Sequence, residues 1–96
     1  MNIPLMTETQ NKTLNAELYK VTDKPENRNV KIKYSPYSLD VYITYQRYIE
    51  GDIDVGLEDY YIRITPNGTI DRDPLRNVEF NSIADRMSFF NSLREP

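Results

Sequence analysis

The chain has 96 residues, a net charge of −3, and no histidine, cysteine or tryptophan. That length makes one domain with a thin core, in which roughly 60–65% of the unfolded chain's surface is buried. The missing His and Cys remove the commonest general base, the commonest thiol nucleophile, disulfides and thiolate metal centres, and the small charge selects no partner.

Leu, Ile, Val and Phe number 24 of the 96 residues, above the roughly 20% at which disorder becomes the better reading. No apolar run approaches the roughly 18 residues of a membrane span. The opening MNIPLMTETQNK has neither a basic nor a long apolar stretch, so no signal peptide is expected. The lack of cysteine fits a cytoplasmic protein.

Residues 1–13 are polar and read as a flexible N-terminal segment, leaving 14–96 as a single domain. Leu14, Leu18 and Val21 fit a helical stripe, yet residues 15–22 also alternate as a poor strand. The strand is favoured because the charged, Pro-interrupted stretch 22–29 looks like a hairpin loop. Val30, Ile32 and Tyr34 alternate with Lys31 and Lys33, a half-buried strand with one wet face. Ser35-Pro36-Tyr37-Ser38 is a turn.

Residues 39–50 form the richest β segment. Leu39, Val41, Ile43 and Tyr45 share one face, and Tyr42, Thr44, Gln46 and Tyr48 the other. A helix from Ser38 is the competitor, but the density of β-branched and aromatic residues favours the strand. Arg47 falls on the apolar face and suggests a bulge or strand end. Residues 50–59 are acidic, contain Gly51 and Gly56, carry no Lys or Arg, and read as a loop.

Tyr60, Ile62 and Ile64 alternate with Tyr61, Arg63 and Thr65. Thr65-Pro66-Asn67-Gly68-Thr69 then allows two hairpins. A two-residue Asn67-Gly68 turn sets Ile64 against Asp71. A type I turn with Gly68 in the left-handed bulge position sets Ile64 against Ile70 and Arg63 against Asp71. The second is preferred, since it matches apolar to apolar and charge to charge and spares Pro66 a ladder bond. Matching Tyr45 with Ile64 across the 50–59 loop would oppose Ile49 to Tyr60 and Tyr48 to Tyr61. Val78 and Phe80 read as a short extended piece. A C-terminal helix follows, with Ser82 as N-cap, Met87 and Phe90 facing the sheet, and Ser88 and Ser92 facing water.

The expected fold is therefore α+β: a mainly antiparallel sheet of four or five strands, with one C-terminal helix packed on one face.

Three features bear on function. Seven of the eight tyrosines lie between Tyr34 and Tyr61. Tyrosine offers stiff, amphipathic contact area, so Tyr42, Tyr48 and Tyr61 on one face, with Arg63 beside them, suit recognition of another protein or a homodimer. The same residues with Lys31 and Lys33 also suit single-stranded nucleic acid, although the net acidity opposes it. The carboxylates Asp52, Asp54, Glu58 and Asp59 offer an acidic surface, which could occupy a partner's nucleic-acid site by charge mimicry. Asp52-Ile53-Asp54-Val55-Gly56 faintly resembles the opening of a calcium loop, but glycine stands at the third ligand position. No phosphate loop, nucleophile elbow or metal spacing is present, so no enzyme, cofactor or metal is expected. The sequons at Asn11 and Asn67 read as accidental.

The expected function is that of a small, soluble, non-enzymatic regulatory or adaptor protein. It would bind a protein partner through a Tyr-rich sheet face, with the acidic inhibitor as the alternative.

Overall fold

The computed structural model describes residues 6–50, 55–72 and 82–96. It contains, in chain order, α1 (Glu8–Thr22), β1 (Arg28–Tyr34), β2 (Val41–Glu50), β3 (Val55–Ile64), β4 (Ile70–Asp71) and α2 (Ile83–Ser92). The strands form one antiparallel sheet in the order β1-β2-β3-β4. The class is α+β, as the residue pattern implies.

The first departure is α1. Residues 8–13, expected to be flexible, and 15–22, favoured as a strand, make one continuous helix. Thr7 caps it: its hydroxyl accepts from the Gln10 amide, and the Gln10 side chain accepts from the Thr7 amide. The buried face runs Gln10, Leu14, Glu17, Val21. Two of those four are polar, so the apolar stripe is broken in sequence although the face is continuous in space. Each polar group is satisfied. Gln10 Nε2 donates to the carbonyls of Ile64 and Leu39, both at 2.9 Å. Glu17 takes a two-point contact from the Arg72 guanidinium at 2.6 and 2.9 Å.

Leu14 and Val21 pack with Val41, Ile43, Ile62 and Ile64 into the core. The core is thus closed by the N-terminal helix, not by the C-terminal one. Leu39 is not part of the strand face. It precedes β2 with φ of 59° and is about half exposed. Ser35 opens the turn before it, and its hydroxyl accepts from the amides of Tyr37 and Ser38.

The two hairpins differ in how they meet expectation. Between β3 and β4, Ile64 faces Ile70 and Arg63 faces Asp71, with Gly68 at φ 85°. The Gly68 amide donates to the Thr65 carbonyl, and the Thr65 amide to the Thr69 carbonyl, as the type I turn with a glycine bulge requires. Arg63 and Asp71 are ion-paired at 2.8 Å. The turn also seats α1, because the Thr7 hydroxyl donates to the Pro66 carbonyl.

Between β2 and β3 the register is four residues off the expected one. Val41, not Tyr45, faces Ile64; Tyr45, not Ile49, faces Tyr60; Tyr48 faces Leu57, not Tyr61. Residues 55–59, read as loop, belong to β3. The observed register pairs ten residues of each strand and sets Ile43 directly against Ile62. A shift by an even number leaves every side chain on its own face, so the alternation of apolar residues does not distinguish the two registers. Arg47 marks no bulge. The irregularity lies in β1, between Arg28 and Lys31, where Asn29 has φ of 53°.

At the C-terminus Ser82 caps α2, accepting from the Asp85 amide at 3.1 Å. Ser88 is exposed, as expected, but Ser92 is half-buried and bonds to the Phe89 carbonyl. Phe90 is half-buried rather than a core residue. The Met87 side chain, and the expected extended piece at 78–80, lie outside the described residues. Beyond α2, Arg94 exchanges two backbone hydrogen bonds with Tyr34 and so covers part of the free edge of β1.

Candidate binding surface

The sheet face opposite α1 carries the candidate residues in four rows, set by the strand registers. The first runs Lys33, Tyr42, Arg63, Asp71; the second Lys31, Thr44, Tyr61; the third Gln46 and Asp59; the fourth Tyr48 and Leu57. The alternation placed Tyr42, Tyr48 and Tyr61 on this face correctly. Their environments differ sharply.

Tyr42 is buried, 2% exposed, with its ring edge-on to Phe89 at 6.3 Å. Burial pushes its hydroxyl pKa up, with help from the nearby Asp40 charge and against the opposing pull of Arg63. Tyr61 is half-buried and stacks on Phe90, centroids 4.3 Å apart. Both rings therefore meet α2. Only Tyr48 is open, 54% exposed, with the Arg28 guanidinium 4.7 Å from its ring centre. Arg63 serves its Asp71 pair, and its Nε is buried with no hydrogen-bond partner among the described residues. The expected cluster of three exposed tyrosines thus reduces to one.

The acidic set divides as well. Asp52 and Asp54 lie outside the described residues. Glu58 and Asp59 sit in β3, on opposite faces. Glu58 accepts from the Tyr60 hydroxyl at 3.1 Å, and this bond is the main reason the Tyr60 pKa is raised. Asp59 accepts from Gln46 Nε2 at 2.8 Å, and Gln46 accepts in turn from Asn29. That amide relay spans β1, β2 and β3.

The third and fourth rows lie at or beyond the end of β1, whose last pairing with β2 in this direction is Arg28 with Gln46. From there β2 and β3 continue as a two-stranded arm. At its root, on the α1 side, Tyr45 stacks on Tyr60 at 5.3 Å, with Arg47 lying 5.6 and 5.7 Å from the two ring centres. The arm's other face carries the Tyr48–Leu57 pair, one row before the terminal Glu50–Val55 pairing, with Leu57 46% exposed. Leu57 was missed because residues 50–59 read as an acidic loop. The alternation of Val55 and Leu57 was the available signal.

Among the described residues no group of acidic side chains is placed to hold a metal ion, and no helix is long and apolar enough to cross a membrane. Comparisons with protein-family models, curated proteins and solved structures return no match to this chain.

Proposed function

We propose that this chain is a non-enzymatic, cytoplasmic regulatory or adaptor protein that grips a protein partner with its β2–β3 arm. The observation that carries this reading is the directly opposed pair Tyr48 and Leu57, each about half exposed near the end of the sheet. The aliphatic residues of β2 and β3 nearer the body, Val41, Ile43, Ile62 and Ile64, are buried. A rigid aromatic beside an aliphatic residue, flanked by Arg28, has the make-up of an interface anchor. The support for contact through Tyr42 and Tyr61 is weaker, because both rings are engaged by α2. Charge mimicry has less support too, since Glu58 and Asp59 each hold a neighbouring side chain.

The double variant Tyr48→Ser, Leu57→Ser tests the reading. It should melt close to the wild type, because both side chains are already half in water, with a change below about 1 kcal/mol. Tagged wild-type protein should retain a partner from native lysate that the double variant does not. Equal retention by the two proteins at equal folded fraction refutes the arm as the contact.

A further inference from the structure

Beside the arm, on the same face, lies a groove of about 400 Å³ lined by Lys31, Lys33, Thr44, Gln46, Asp59 and Tyr61. Lys31 and Lys33 are two apart on one strand, so both project to this side, with their backbones about 7 Å apart. Thr44 lies between Lys31 and Tyr61 in the second row. The amide relay Asn29–Gln46–Asp59 closes one end, where each of these groups is satisfied by the next. Asp59 also gives the groove a polarity, negative on the β3 wall and positive on the β1 wall.

One contact shows what the positive wall accepts. The Glu95 carboxylate lies 3.2 Å from Lys31 Nζ. It is brought there because Arg94 is hydrogen-bonded to Tyr34 on the edge of β1. Both partners of this ion pair are more than half exposed, so it is weak and open to exchange. The chain's own carboxylate thus competes with an incoming anion for Lys31.

We propose that this groove binds the anionic group, phosphate or carboxylate, of a small organic molecule. Lys31 and Lys33 are its charged partners, Thr44 is a neutral one, and Glu95 is a built-in competitor. The groove shares Gln46 and Asp59 with the root of the arm, but its cationic partners lie on β1, so it does not depend on what the arm binds. Ligand entry swaps one anion–lysine contact for another, so removing Glu95 strengthens binding, whereas removing the lysines weakens it. Diffuse surface charge gives the same two signs, so saturation confined to the groove amides, and not the signs alone, marks the site.

The test is a titration of the full chain at neutral pH and constant ionic strength, reading the backbone amide shifts of Lys31, Lys33, Thr44 and Tyr61. Inorganic phosphate and acetate are the two probes. At least one should saturate these amides, and which one does so names the anion. Glu95→Gln should lower the midpoint about threefold. Lys31→Gln with Lys33→Gln should raise it at least tenfold. Shifts that grow linearly with both probes, a midpoint unmoved by Glu95→Gln, or unaltered binding in the double lysine variant would each overturn the site. The conservative single variant Lys33→Arg, which keeps the charge, should retain binding. Loss of binding there together with loss of native amide dispersion would trace the effect to the fold, and saturation of the wild-type amides together with the Glu95→Gln midpoint then decides.

Discussion

The two faces of the sheet are built from different materials. The face under α1 is aliphatic: Val41, Ile43, Ile62 and Ile64 close on Leu14 and Val21. The other face is aromatic and charged, and α2 meets it through Phe89 on Tyr42 and Phe90 on Tyr61. Aliphatic side chains interdigitate without directional demands, so a thin core is best assembled from them. Rings and cations leave edges, hydroxyls and charges that still need partners. The first face closes the core, and the second is held by ring contacts to α2 and by ion pairs such as Arg63 with Asp71 and Lys31 with Glu95.

The largest effect should come from the α1 face. Leu14→Ala removes a fully buried side chain and should destabilise the protein by about 2–5 kcal/mol in denaturant unfolding. A loss under about 1 kcal/mol would mean that α1 is not the closing element.

Next comes the contact that fastens α1 to the chain after β4. The Glu17 carboxylate is 2% exposed and faces Arg72. Its pKa is lowered, chiefly by the Arg72 hydrogen bonds. A carboxyl lowered in the folded state adds stability that is complete above its ordinary value near 4.5 and is lost as pH falls through the folded value. Arg72→Gln should cost about 1–3 kcal/mol at neutral pH by leaving a buried carboxylate short of partners. It should also flatten the fall in stability below pH 4.5. Parallel acid-unfolding curves for variant and wild type would rule this linkage out.

The smallest effect is expected on the second face. Phe90→Ala removes a half-buried ring and its stack on Tyr61, worth about 0.5–1.5 kcal/mol beyond area. A cost matching that of Leu14→Ala would make the two faces equal contributors and end the comparison.

Some of this was legible in residues. Pro66 and Gly68 specify the β3–β4 turn locally, because only one geometry spares Pro66 a donor and gives Gly68 a positive φ. The register of Arg63 and Asp71 follows from it. Ser82 marks the start of α2 in the same way. The start of α1 was legible too, in the capping box Thr7-Glu8-Thr9-Gln10, but its buried Gln10 and Glu17 disguised the helix stripe. Those two residues lie inside only because the Ile64 and Leu39 carbonyls and Arg72 meet them there.

The sequence by itself determined which side chains share a face of each strand, because backbone pleating alternates them with period two whatever lies alongside. It also determined the local turn at 65–69 and the absence of histidine and cysteine chemistry. Only the tertiary structure decided the β2–β3 register, since a slip of four residues preserves every face. It alone decided which helix closes the core and which tyrosines remain open. Exposure depends on what packs against a residue, and for Tyr42 and Tyr61 that is Phe89 and Phe90, almost thirty or more residues along the chain.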